Sequence, residues 1–457
     1  MKKQTRRDFL KVLGLAAGSL MMPKAVFGRQ KSARKPNVVL IFTDDQGSID
    51  VNCYGAKDLY TENLDRLAAE GTRFTQFYVG APVCSPSRAA LMTGRYPRCA
   101  GLLSNAPSDK GRPGMPTEQV TIAEMMKSAG YATGHIGKWH LGYTPETMPN
   151  GQGYDYSFGH MGGCIDNYSH FFYWQGPNRH DLWRNGKEVW HEGEFFGDLM
   201  VDECKKFIDG HKDEPFFLYW AINMPHYPLQ GIEKWRKKYE HLEDPRRIYA
   251  AFVSTMDELI GKVIRHLDES GLRENTLIIW LSDHGHSIES RTFSGGGSSG
   301  DFRGHKFTLW EGGLRVPCIV SWPGRISQNA VRNQMAASID WMPTIAEYCG
   351  VKPPDVNIDG KSIVPVIESD SAPSPHKVLH WETDNGKQWA VREGDWKLVH
   401  NGPETDYKGR KLPKADDFLS NMTEDVTETK NLAEAYPETV KRLTSLHEQW
   451  LKQLPKE

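Results

Sequence analysis

Three stretches of the chain are unbroken apolar runs of strand length that end in polar residues: Asn37-Val38-Val39-Leu40-Ile41-Phe42-Thr43-Asp44-Asp45, Pro215-Phe216-Phe217-Leu218-Tyr219-Trp220-Ala221-Ile222-Asn223 and Thr276-Leu277-Ile278-Ile279-Trp280-Leu281-Ser282-Asp283-His284. A strand with one solvated face alternates in polarity, whereas a strand covered on both faces reads as a continuous run, as in the parallel sheets of α/β proteins. Segments with helical spacing lie among these runs, at Asn63–Glu70, Ile122–Ala129 and Arg247–Leu267. The pattern therefore predicts an α/β fold with a mostly parallel sheet flanked by helices. Such sheets bind ligands beyond the carboxyl ends of their strands. The pairs Asp44-Asp45 and Asp283-His284, each at the end of a run, are accordingly candidate site residues.

Single cores stop growing at roughly 250–300 residues, so a chain of 457 residues predicts a second, smaller unit. From about Ala372 the pattern changes to short strands at Val378–Trp381, Gln388–Arg392 and Trp396–Val399, with turn residues at Asn385-Gly386 and Glu393-Gly394-Asp395, and then a helix at Pro437–Leu454. This predicts a small antiparallel sheet plus a terminal helix over residues 371–457, following a catalytic-size α/β domain over 29–370, with the boundary in Ser369–Pro375. Residues 1–28 read as a signal peptide, with a basic start, an apolar run Val12–Met22 and small residues after Pro23. The run is too short to span a bilayer. Within the segment, Thr5-Arg6-Arg7-Asp8-Phe9-Leu10-Lys11 resembles a twin-arginine export signal, whose cargo crosses the membrane folded. The expectation is a periplasmic or secreted bacterial protein, delivered by export machinery and without a membrane span after cleavage.

The apolar fraction of 39% and charged fraction of 25% are those of a globular protein and exclude disordered and fibrous classes. The first 28 residues hold +5 of a formal charge of −2, so the remainder carries −7. An acidic surface offers no general field for nucleic acid, and an anionic substrate has to be held by a local group of cations. Seven cysteines are present, at positions 53, 84, 99, 164, 204, 318 and 349. They include no C-x-x-C pair, which argues against structural zinc, and an odd number in an exported chain marks one thiol with a different fate.

That thiol is best placed at Cys84-Ser85-Pro86-Ser87-Arg88-Ala89-Ala90-Leu91-Met92-Thr93-Gly94-Arg95. Pro86 suits the first turn of a helix, which puts residue 84 at a helix N-terminus, where unpaired N–H groups favour negative charge. The segment resembles the signature of the type I, formylglycine-dependent sulfatases, of the arylsulfatase and N-acetylgalactosamine-6-sulfatase kind, on the alkaline-phosphatase-like fold. The resemblance runs through most of residues 37–400 in five ordered motifs. It implies that a maturase oxidises Cys84 to formylglycine (3-oxoalanine). The aldehyde hydrate has two hydroxyls: one attacks sulfur to give a covalent sulfate ester, and the other loses its proton to expel sulfate and restore the aldehyde.

Asp44, Asp45 and Asp283 with His284 form an oxygen-rich donor set of the kind that favours calcium over zinc. By resemblance these residues and the formylglycine oxygen of residue 84 hold Ca2+, although His284 stands where asparagine is commoner, and its contact with metal or with sulfate is left open. In Gly137-Lys138-Trp139-His140-Leu141-Gly142 the resemblance implies that Lys138 contacts nucleophile and sulfate, while His140 takes a proton as sulfate leaves. It gives His226, in Met224-Pro225-His226, sulfate binding and protonation of the leaving alcohol. Lys306, placed by Glu311-Gly312-Gly313 and Arg315-Val316-Pro317, is the second sulfate-binding lysine. Arg88, Lys138 and Lys306 then form the local cationic cluster. His135 is expected to be structural, and His286 and His305 are unmatched neighbours.

Ser294–Gly300 is glycine-rich without the ending of a phosphate loop and reads as a rim of the site. Tyr168, His170, Phe171, Phe172, Tyr173, Trp174, His180 and Trp183 crowd the segment from Cys164 to Trp190, as a glycan subsite or as plain core. The function expected is release of inorganic sulfate from a sulfated carbohydrate, a polysaccharide or glycosaminoglycan. The alternatives are a formylglycine-dependent phosphodiesterase or phosphonate hydrolase, and a non-catalytic glycan-binding relative.

Overall fold

The computed structural model describes residues 34–173, 178–403 and 415–454. The segment read as a signal peptide lies outside them, as does Trp174. All three apolar runs are strands of one ten-stranded sheet. Its centre comprises β1 (Asn37–Thr43), β2 (Ala132–Lys138), β3 (Tyr156–His160), β4 (Phe216–Ala221), β5 (Thr276–Ser282) and β6 (Cys318–Ser321), in the spatial order β6-β5-β1-β4-β2-β3. The five strands from β5 to β3 are parallel, and β6 is antiparallel to β5.

Side chains alternate between the faces of a strand, and here both faces are dry. Val38, Leu40 and Phe42 enter one hydrophobic layer with Tyr219 and Ile279, while Val39 and Ile41 enter the other with Leu218 and Trp280. That two-sided burial is the reason the three runs lack polar alternation. Strand β2 has no such signature, because Gly134, His135 and Gly137 interrupt it. The glycines are there for closeness: a Cβ on Gly137, whose φ is +111°, would stand 2.0 Å from the carbonyl oxygen of Ala221 in β4. Helix α1 (Cys84–Thr93) packs on the first layer, and the amphipathic helices Phe196–Gly210 and Arg246–Glu269 pack on the second.

A separate four-stranded antiparallel sheet follows, β7 (Val378–Thr383), β8 (Gln388–Glu393), β9 (Trp396–His400) and β10 (Asp417–Asn421), and then a helix, Pro437–Gln453. The fourth strand is absent from the sequence reading because Asp-Phe-Leu-Ser-Asn carries too little apolar pattern to register. From Lys35 onward the described residues cluster as one compact unit. Trp381 Nε1 donates to the Val79 carbonyl (2.8 Å), and the Arg98 guanidinium donates to both carboxylate oxygens of Glu382 (2.7 and 3.0 Å).

Deeper in this contact, Lys397 Nζ lies 2.9 Å from both Glu311 and Glu428, all three wholly buried. Burial opposes ionisation of both acids, but Lys397 and Arg315 bring Glu311 down to about 2, leaving Glu428 pushed up to about 7. Removing the ammonium would leave buried Glu428 without its cation and Glu311 with Arg315 at 3.3 Å, and breaking a buried pair in this way costs about 3–5 kcal/mol. Lys397→Met should lower unfolding stability by that amount in a urea titration, whereas a loss below about 1 kcal/mol would show that the cluster is not a stability element.

Candidate active site

Four of the parallel strands deliver the site from their carboxyl ends. Asp44 and Asp45 follow β1, Lys138 closes β2 with His140 two residues on, His226 lies beyond β4, and Asp283-His284 follows β5. Helix α1 begins at Cys84, which brings the thiol and, one turn later, Arg88 into the same space. Lys306 arrives from the loop before Glu311–Leu314. All nine of these predicted residues, Asp44, Asp45, Cys84, Arg88, Lys138, His140, His226, Asp283 and His284, together with Lys306, are buried. Two of them hold a left-handed backbone, Asp45 at φ 63° and His140 at φ 56°, a strain that persists only where surrounding structure over-determines it.

Opposite charges interlock below the thiol. Lys138 Nζ donates to Asp44 Oδ2 at 2.6 Å, Arg88 donates to Asp283 Oδ2 at 3.0 Å and stands 3.6 Å from Asp44, and Lys306 Nζ lies 2.9 Å from Asp45 Oδ1. The sulfur of Cys84 is 3.9 Å from Asp44 Oδ1 and 3.3 Å from His284 Nε2. Burial opposes the thiolate, but Lys138 and Lys306 outweigh it and bring the Cys84 thiol down to about 6. Burial likewise pushes Asp45 up to about 7 and Asp283 up to about 6. His284 shows the converse: burial resists its charge, yet Asp283 and Cys84 lift the ring to about 9.

One donor atom each from Asp44, Asp45, Cys84 and His284 lie within 4.8 Å of one another, a spacing that fits a metal ion. Asp45 Oδ1 accepts no well-directed hydrogen bond although it is buried. His284 Nδ1 lies 3.0 Å from the Gly285 carbonyl, and a carbonyl only accepts, so Nδ1 carries a proton and Nε2 is the ring nitrogen turned toward Cys84. Asp283 borders this group of four. It is engaged by Arg88, by the Asp45 N–H (3.2 Å) and, at 3.5 Å, by His284 Nε2.

Above the thiol opens a cavity of 460 Å³ whose lining includes Cys84, His140, His226 and Lys306. Lys138, Arg88 and the three aspartates lie beneath it. His226 Nδ1 donates to the Tyr227 carbonyl at 2.8 Å, leaving Nε2 3.7 Å from Asp45 Oδ2. Burial, with Lys138 and Arg88, holds the His140 ring well below the usual histidine range. Neither His286 nor His305 lines the cavity, and His135 is packed among Trp139, Tyr154 and Tyr219. Sequence reasoning passed over Asn105, Asp109, Glu289 and Arg291, which also line the cavity. They stand on connecting segments with no motif of their own, and only the fold brings them to the mouth.

Two other readings are sharpened. All seven cysteines are free, so the odd count does not single out Cys84 by leaving it unpaired; its surroundings do. The aromatic segment divides between the two alternatives: Phe172 and His170 are core, whereas Tyr168 and Trp190 are 39% and 61% exposed.

A parallel sheet with cations and acids gathered at its strand ends around a helix-capped nucleophile position describes the alkaline-phosphatase-like hydrolases. Residues 36–351 match the family model described as Sulfatase, and residues 300–453 that described as N-sulphoglucosamine sulphohydrolase, C-terminal. Arylsulfatase A of Homo sapiens is 36% identical over 393 residues, covering 80% of this chain and 75% of the relative. N-acetylgalactosamine-6-sulfatase of Rattus norvegicus is 34% identical over 376 residues, covering 78% and 68%. The crystal structure of Ps i-CgsB in complex with k-i-k-neocarrahexaose is similar with a TM-score of 0.81 at 30% identity, covering 91% of this chain and 93% of that one. The chain belongs to the sulfatase family and is a sulfuric ester hydrolase.

Gly163 sets the position of the His140 ring, since a Cβ there would stand 3.0 Å from Cε1 of that ring. Displacements near 1 Å at a reacting group cost about a hundredfold in rate. Gly163→Val should therefore lower kcat for sulfate release at least tenfold without moving the urea midpoint, and an unchanged kcat would show that the ring position is not limiting.

Proposed function

We propose that the protein releases inorganic sulfate from a sulfated carbohydrate, using a formylglycine made from Cys84 and a calcium ion held by Asp44, Asp45, residue 84 and the Asp283-His284 pair. The observation that carries this reading is the convergence of Lys138, Lys306 and Arg88 with the acids on the Sγ of residue 84, at the floor of an open cavity. Calcium, when bound there, supplies Lewis-acid stabilisation of the charge that grows on sulfate oxygens. Lys138 and Lys306 neutralise and orient the sulfate group, and Arg88 holds Asp44 and Asp283 ionised. With its Nδ1 fixed on a carbonyl, His226 presents Nε2 to the leaving alcohol, and since burial, with Lys138 and Lys306, holds its ring well below the usual histidine range, a proton placed there is readily given up. His140, kept neutral by burial and the neighbouring cations, is suited to accept the proton of the second hydroxyl of residue 84.

The carbohydrate part of the reading draws on the relatives, whose names include N-acetylgalactosamine-6-sulfatase and a protein crystallised with a neocarrahexaose. It draws also on Phe307, 43% exposed on the cavity lining, whose ring suits a sugar face. Export by the twin-arginine signal at Thr5–Lys11 would allow a cytoplasmic maturase to finish its work before translocation. Among the described residues no helix is long and apolar enough to cross a membrane.

Mass spectrometry of the peptide containing residue 84, from a host with maturation machinery, should show the aldehyde, and Cys84→Ala should abolish sulfate release. An intact thiol accompanied by full activity would overturn the nucleophile. Asp45→Ala should lose calcium binding in calorimetry and activity together, and full turnover by metal-free protein would remove the metal from the reading. Nitrophenyl sulfate should be hydrolysed in preference to nitrophenyl phosphodiesters, with the opposite order favouring a phosphodiesterase. His226→Ala should cost at least tenfold more on alkyl or sugar sulfates than on aryl sulfates, because only poor leaving groups need strong protonation. Equal losses would exclude His226 as the acid.

A further inference from the structure

A second cavity of 540 Å³ adjoins the one above Cys84, and Arg291 lines both. The wall between them is one strand thick. Phe171 and Phe172 are successive residues of a two-residue strand, and since neighbours on a strand point oppositely, Phe172 faces the catalytic cavity and Phe171 the second. Tyr227 and Pro228 divide in the same way on the other side. We propose that the substrate lies across both cavities, with Arg291 at their junction as a specificity residue for a second anionic group, a carboxylate or a sulfate ester, on the sugar next to the one being desulfated. This inference rests on the carbohydrate reading above and extends it from a sulfated sugar to an oligosaccharide with a charged neighbour.

The guanidinium is held in place rather than loose. Its Nη1 donates to the Tyr227 hydroxyl at 3.1 Å, its Nη2 stands 3.8 Å from Glu289, and its carbon lies 5.2 Å from the centre of the Tyr227 ring. Glu289 is also 3.5 Å from Lys306, so one carboxylate lies between two cations at the mouth. The Arg291 side chain is only 19% exposed. Charge in so shielded a place acts more strongly than on open surface, and the planar fork of arginine matches carboxylate and sulfate oxygens. In a chain whose overall balance is acidic, a second partly buried cation beside the sulfate pocket has no use as a general attractant.

The second cavity also has the surfaces a sugar needs. Phe293 is 66% exposed and sits at φ 55°, a backbone region unusual for a bulky residue, with its ring on the cavity wall. Asp166 and Gln230, linked by a 2.6 Å hydrogen bond and tied to Tyr168, Ser169 and Asn167, give the same wall a fixed polar surface. An aromatic face flanked by paired polar groups is the chemistry that receives a pyranose ring rather than a lipid or peptide chain.

The test uses the matured full-length protein and three sulfated disaccharides that share the sulfated ring but carry a neutral, a carboxylated or a sulfated neighbour, with nitrophenyl sulfate as the single-ring reference. The wild-type kcat/KM should be at least tenfold higher for one of the charged neighbours than for the neutral one, and the arm that wins identifies carboxylate or sulfate. Arg291→Gln should reduce that preference to less than twofold, Arg291→Lys should restore part of it, and Phe293→Ala should weaken all three disaccharides relative to nitrophenyl sulfate. Dissociation constants of the same panel for Cys84→Ala, with and without Arg291→Gln, should show the same tenfold pattern without turnover. Equal use of all three disaccharides, or a preference that survives Arg291→Gln, would overturn the two-subsite proposal alone. Hydrolysis of nitrophenyl sulfate with no turnover or binding of any disaccharide would overturn the carbohydrate reading, and this inference with it.

Discussion

The contact between Lys138 and Asp44 is 2.6 Å long and wholly buried, and it joins the carboxyl ends of β2 and β1 across the intervening strand β4. Neither charge tolerates that depth alone. Arg88 answers Asp44 and Asp283 from α1, and Lys306 answers Asp45 from the loop beyond β5, so every cation of the site is anchored by an acid at a strand end. The sheet therefore does more than present side chains. Its strand ends fix the spacing of the charges, and the charges in turn fix where α1 begins and hence where residue 84 stands.

This arrangement carries the chemistry through a deliberate imbalance. Paired with its lysine, Asp44 is held well below the usual carboxylate range despite its burial, whereas Asp45 and Asp283 are driven upward. The same two lysines depress the Cys84 thiol. Acids that resist ionisation and a nucleophile position that favours it meet within a few ångström, the condition under which a divalent cation at the base and a sulfate dianion above would each complete a charge balance left open by the protein.

A second buried charge group holds the C-terminal sheet to the rest. Glu311 belongs to the Glu311–Leu314 helix just after the Lys306 loop, and Lys397 belongs to β9, so one ammonium links the small sheet to the segment that positions a sulfate-binding candidate.

Much of this is legible in one dimension. Continuous apolar runs identify β1, β4 and β5 because strands dry on both faces have no reason to alternate, and the residues just past their ends gather around Cys84 and Arg88. Local motifs place Cys84 at a helix start and put Lys138, His226 and Lys306 in the same frame. Strand β2 escapes the pattern because its glycines answer to the Ala221 carbonyl and to Phe207, contacts that exist only once the sheet is formed. The parity of the cysteines misleads for a similar reason, since pairing depends on distance in space and all seven remain free. The sequence by itself determined the class of fold and named the candidate residues that gather around Cys84, because both are written in short-range patterns. Only the tertiary structure decided that Asp283 is engaged by Arg88 and the Asp45 N–H, and that Glu289 and Arg291 reach the mouth of the cavity, because such positions depend on how distant segments pack against one another.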